Sequence, residues 1–178
     1  MEKSLYGNSL SREHRDHGHL ARGMGWGLLG GLGGTLVMDL VLMGGLTAAG
    51  LPALTCFAIV GNTVARFLAM SGIDIAGGVP LGAAAHYLIG PALGAIFGAA
   101  VTQIGALRVN TLKKSVVLAV IYVEILSQPI LATTPILLQM TAAETLQWFG
   151  VSAVMHFLFA VVLGVVMGYG LRLAHDRV

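Results

Sequence analysis

Four ionisable side chains stand inside long stretches that are otherwise uncharged: Asp39, His86, Glu124 and His156. An ionisable group in hydrocarbon costs about 2.5–3.5 kcal/mol on insertion scales, so it is expected to face other protein and to have a partner or a task. Imidazole with carboxylate is a donor set for zinc, iron or copper, which makes a divalent metal or copper site at His86, His156, Asp39 and Glu124 the first chemistry to consider. The second is a heme b ligated by His86 and His156. Asp39 and Glu124 would then fix the imidazoles as outer acceptors, and Arg66 would reach the propionates. Small residues lie about one turn either side of each histidine, Gly82 and Gly90 around His86, Ser152 and Ala160 around His156. A third possibility is a proton-coupled or ion permeation path. The plainest is a pair of buried Asp–His and Glu–His hydrogen bonds that only hold helices together. Met38, Met43, Met70, Met140 and Met155 gather toward the same side, where methionine packs more often than it ligates.

The spacing around the histidines repeats. Residues 82–98 carry His86 on a row with Gly82, Gly90, Gly94 and Gly98, and residues 152–168 carry His156 with Ser152, Ala160, Gly164 and Gly168. All fall at intervals of four, which places each set on one helix face. Gly27, Gly31, Thr35 and Asp39 form a similar row. Asp39 in Met38-Asp39-Leu40 corresponds loosely to Glu124 in Val123-Glu124-Ile125. The pattern reads as a two-helix hairpin, acid on the first helix and histidine on the second, duplicated about an axis along the membrane normal. The glycine rows, Gly27 and Gly31, Gly90, Gly94 and Gly98, Gly164 and Gly168, are helix-packing faces of the small-xxx-small kind.

The elements that carry these residues are membrane spans. Hydrophobic residues make up 56% of the 178 and charged residues 10%, against roughly 45–50% and about 25% in soluble domains. Apolar runs longer than the ~20 residues needed to cross a bilayer occur near 23–47, 81–104, 115–137 and 146–171. The expected fold is an all-α integral membrane bundle of four transmembrane helices, built from a duplicated hairpin, within one domain over 23–171. Residues 1–22 read as a polar cytoplasmic tail containing His14, His17 and His19, for which solvation is favoured over metal binding. Residues 172–178 form a short basic end. No cleavable signal peptide is expected, since the first apolar run is too long and contains Asp39. The single Cys56 excludes an intrachain disulfide and a cysteine-rich metal site.

Residues 52–72 are long enough to cross but are interrupted by Gly61, Asn62 and Arg66. If they do not cross, nine of the ten Lys and Arg residues share one side and only Arg66 lies opposite. The positive-inside rule prefers that arrangement, with both termini cytoplasmic and 52–72 an interfacial or re-entrant helix on the outer face. At 1.5 Å per residue, His86 lies roughly 10 Å and His156 roughly 14 Å below the outer ends of their spans, and the two acids roughly 10 to 18 Å below theirs. In an up-down-up-down bundle the second and fourth spans are diagonal, as are the first and third, so all four groups are expected to converge.

Gly33-Gly34-Thr35-Leu36-Val37-Met38 in a glycine-rich first span, with His86-Tyr87-Leu88-Ile89-Gly90-Pro91-Ala92-Leu93-Gly94 in a later one, resembles a group of small four-helix bacterial membrane proteins of unknown function. The resemblance implies the four-span topology and a bacterial inner membrane, and it supplies no activity. No nucleophile triad, phosphate loop or nucleotide motif is present, so no catalytic residue is assigned and turnover by the isolated chain is not expected. The expected role is a metal- or heme-binding accessory subunit of a larger membrane complex, of the electron-transfer type. A helix-packing subunit without cofactor and a small transporter are the alternatives. The expected partners are the lipid bilayer and other membrane subunits or further copies of the chain, with no nucleic acid.

Overall fold

The computed structural model describes the backbone of residues 3–175 and the side chains of residues 18–172. It is all-helical, with five α-helices: α1 (Lys3–Ala48), α2 (Thr55–Ala69), α3 (Val79–Gln103), α4 (Leu112–Leu138) and α5 (Ala142–His175). Four are long and apolar enough to cross a membrane, over Gly18–Ala48, Val79–Gln103, Leu112–Leu138 and Ala142–Arg172. The segment expected to be a polar tail is helical from Lys3 onward and continuous with the first span. A helix of 46 residues is about 70 Å long, more than twice the ~30 Å hydrocarbon core. His14 and His17 lie outside the described side chains, and His19 is exposed.

Local chemistry sets the boundaries. α3 starts after Gly78, whose φ of 87° suits glycine alone. The Gly78 N–H donates to Asn62 Oδ1 of α2 at 2.9 Å. Pro80 follows in the first turn of α3, where the missing N–H is harmless. Thr111 caps α4, its hydroxyl oxygen accepting from the Lys114 N–H at 3.1 Å. Gln139, in the left-handed region, ends that helix. Thr141 and Glu144 then form a reciprocal capping box at the start of α5. Pro91, Pro129 and Pro135 all sit inside continuous helices.

Between helices in lipid there is little hydrophobic drive, so backbone approach matters most. α1 lies between α3 and α5, and α5 between α1 and α4. Gly23, Gly27 and Gly31 of α1 lie directly against the backbone of Gly98, Gly94 and Gly90 of α3, with no room for a Cβ on either side. On the other face of α1, Gly30 and Gly34 receive Leu163 and Phe159 of α5. Gly164 and Gly168 of α5 receive α4 at Val116, Ser115 and Leu112, and Ser115 Oγ donates to the Gly164 carbonyl at 2.7 Å. α3 and α5 are therefore diagonal, as are α1 and α4.

The fourth edge of the square, between α3 and α4, is nearly open. The Tyr122 hydroxyl donates to the Leu93 carbonyl across it at 2.9 Å, and Phe97 packs on the Tyr122 ring. Beyond that, α2 bridges the gap. Gly61 and Phe57 of α2 meet the backbone of Gly78 and Gly82 of α3. On the α4 side, Thr63 Oγ1 bonds Thr134 Oγ1 at 3.3 Å, and the Arg66 guanidinium donates to the Leu137 carbonyl at 3.1 Å. The packed core, Phe97, Val101, Ala119, Val123, Phe159, Leu163 and Met167, fills the half of the bundle away from α2.

Candidate functional site: an intramembrane cavity with two histidines

The half of the bundle beside α2 encloses a cavity of about 400 Å³, within the range of small-ligand sites. All five helices line it. Its walls are mainly apolar, with Met38 and Leu42 of α1, Ile59 of α2, Leu131 of α4 and Phe159 of α5 among them. Ile89 and Ile130 line the cavity and are also exposed, as are Leu51 and Val151. The cavity thus reaches the lipid-facing surface. Glu144, Gln147 and Trp148 stand toward the end that carries α2, and the Trp148 indole N–H donates to the Leu131 carbonyl at 3.1 Å.

His86 from α3 and His156 from α5 both line this cavity. Their helices are the diagonal pair, so the rings come from opposite walls. Asp39 stands behind His86, with its Oδ1 at 3.1 Å from His86 Nδ1. Its side chain is only 5% exposed, against 16% for His86. The Phe57 and His86 rings pack in a T-shaped pair with centroids 5.2 Å apart. The imidazole is thereby held at one nitrogen by Asp39 and against the ring of Phe57.

Two buried polar atoms among the described residues have no partner: Asp39 Oδ2 and His156 Nδ1. Buried polar groups are nearly always paired, so each such atom calls for a cause. Neither Nε2 belongs to that sealed set, and neither makes a hydrogen bond with a described residue. Each Nε2 therefore keeps some accessible surface, and both residues line the one cavity.

Glu124 takes no part in this arrangement. It does not line the cavity, and its Oε2 accepts from Gln128 Nε2 on its own helix at 3.4 Å. The acid and histidine of the first half are thus bonded, whereas those of the second half are not. No three His, Cys, Asp or Glu side chains among the described residues are grouped so as to hold a metal ion. Burial pushes the Cys56 thiol up to about 11, with the Asp39 charge adding to the effect.

The small residues flanking the histidines have other neighbours than a macrocycle. Gly82 receives the α2 backbone at Phe57, and Gly90 receives Thr35 and Phe159. Ala160 is fully buried, and Ser152, also buried, lines the cavity. Arg66 is engaged with the Leu137 carbonyl. Of the methionines, Met38, Met140 and Met155 line the cavity, and Met70 is 75% exposed. Sequence reasoning missed the part played by α2, which supplies Cys56, Ile59, Thr63 and the ring that braces His86. The signal was present in Phe57 and Gly61, one turn apart on a face that matches Gly78 and Gly82.

No family model, no curated protein and no solved structure matches the chain.

Proposed function

We propose that this multi-pass membrane protein holds an apolar small molecule inside its bundle and recognises it through His86 and His156, with Asp39 fixing the ring of His86. The observation that carries the reading is that two histidines from diagonal helices line one apolar cavity, and neither Nε2 is sealed or hydrogen-bonded to a described residue. A purely structural pair would bury both nitrogens in protein contacts. A metal held by side chains alone has less support, since no three His, Cys, Asp or Glu side chains among the described residues are grouped to hold one. Heme b remains a second reading on one specific ground: it needs only two axial nitrogens, and metal-ligating histidines usually donate their other N–H to a carboxylate or carbonyl, as His86 does to Asp39. An accessory role beside other membrane subunits is consistent with the exposed apolar faces of α1.

The charge distribution supports an orientation with both termini cytoplasmic and α2 as an interfacial or re-entrant helix on the opposite face, as in a bacterial inner membrane. The cavity then lies in the outer half of the bilayer. The weak likeness of the two hairpins supports a duplication in which only the first copy kept its acid and histidine together.

The test is native mass spectrometry of protein purified from membranes in mild detergent, with a visible spectrum taken alongside. Wild type is expected to retain about one small molecule per chain. Ser152→Phe, which fills the cavity beside His156, and His86→Phe are each expected to lose it at least tenfold while remaining monodisperse. A Soret band lost in His86→Phe and in His156→Phe would establish heme in place of a dissociable ligand. No retained molecule, and no saturable binding of an apolar fluorescent probe, would sink the proposal.

A further inference from the structure

The hydrogen-bond inventory around the two rings assigns a tautomer to each. A carboxylate only accepts, so the Asp39–His86 bond places a proton on Nδ1, and with the ring neutral Nε2 carries a lone pair. His156 is the reverse case. Its Nδ1 is sealed in protein without any partner, and a proton placed there would forfeit its hydrogen bond. The single proton of the neutral ring is better held on Nε2, which is open. One cavity is therefore furnished with one acceptor, Nε2 of His86, and one donor, Nε2–H of His156.

From this pairing we infer that the ligand is an apolar molecule bearing a hydroxyl group, drawn from the bilayer. The inference rests on the cavity-binding reading above and narrows it. A hydroxyl is both donor and acceptor: its O–H donates to His86 Nε2 and its oxygen accepts from His156 Nε2–H. An ether or a ketone offers only acceptors and leaves the His86 lone pair unmet. A carboxylate would meet that lone pair with like polarity and lies close to the buried Asp39. A bis-histidine iron needs lone pairs on both Nε2 atoms, which forces the His156 proton onto the sealed Nδ1. Apolar walls, and the exposed Ile89 and Ile130 at the thinly closed α3–α4 edge, suit a hydrocarbon body that enters sideways from lipid. Lipid alcohols, diacylglycerol-like molecules and hydroquinones share this chemistry.

The experiment uses the full chain in nanodiscs. Trp148 lines the cavity, and the other tryptophan, Trp26, packs on Gly170 away from it. In a Trp26→Phe background, Trp148 emission reports occupancy. The probes are 1-dodecanol, its methyl ether 1-methoxydodecane and n-dodecane, titrated as mole fraction of lipid. Dodecanol is expected to give a saturable change, the ether to bind at least tenfold more weakly, and dodecane more weakly than either. His86→Phe should remove the preference for alcohol over ether. His86→Gln, which keeps an acceptor, should restore part of it. His156→Phe should weaken alcohol and ether together and leave dodecane unchanged. Equal binding of alcohol and ether would overturn the hydroxyl assignment while leaving the cavity reading intact. No saturable signal from any probe would overturn both.

Discussion

The two acids look alike in the sequence, each alone in an apolar span, and they do different things. Asp39 is buried and bonded to a ring on another helix, whereas Glu124 is only partly buried and bonds within its own turn. Polar pairs between membrane helices contribute on average ~0.6 kcal/mol and up to about 1.7, because the unfolded reference also finds partners. A double-mutant cycle of Asp39→Ala with His86→Phe, read by unfolding in mixed micelles, is therefore expected to give a coupling energy of ~0.5–1.5 kcal/mol. Glu124→Gln should change stability by less than ~0.5 kcal/mol. The residue types were legible because lone ionisable groups stand out in apolar runs. Their pairing was not legible, because a rotation of α4 by one residue step decides whether Glu124 faces the cavity or its own helix surface. Nothing in the composition of 115–137 fixes that rotation.

Among the elements, the glycine rows were readable from spacing alone, whereas their partners became visible only with the helix arrangement. Gly27 and Gly94 lie backbone to backbone, while Gly25, two residues along the same helix, has open space where a side chain would go. Gly94→Ala is expected to destabilise the bundle by ~1–3 kcal/mol through overpacking. Gly25→Ala should be neutral or stabilising by up to about 1 kcal/mol, in line with the helix propensities of the two residues. The thermal midpoints of the two variants in one detergent check both expectations. The short helix α2 was expected as an interfacial or re-entrant element that met the site only through Arg66, at the propionates of a heme. It instead closes the gap between α3 and α4, because close approach at Gly61 and Gly82 draws it inward. Thr63 and Thr134, whose hydroxyl oxygens are 3.3 Å apart, provide a check. A Thr63→Cys, Thr134→Cys pair in a Cys56→Ser background should form a disulfide on mild oxidation, and Thr63→Cys with Thr133→Cys should do so far less.

At the scale of the whole molecule, the four apolar helices followed from composition and run length, and the diagonal pairing of the histidine helices followed from the up-down-up-down order of the spans. The cavity did not, because a void is set by where packing stops. Here the core residues fill one half of the bundle, and the backbones diverge in the other. With four crossings and α2 on one face, reporter fusions at the N- and C-termini are expected to lie on the same side of the membrane, and a reporter inserted after Gly72 on the opposite side. The central claim is that one cavity presents an accepting imidazole and a donating one, and ¹⁵N NMR of selectively histidine-labelled protein in nanodiscs tests it most directly. A protonated Nδ1 with a bare Nε2 is expected for His86, the opposite tautomer for His156, and shifts at both Nε2 atoms on adding 1-dodecanol. The same tautomer at both rings, or Nε2 resonances that ignore the alcohol, would contradict it.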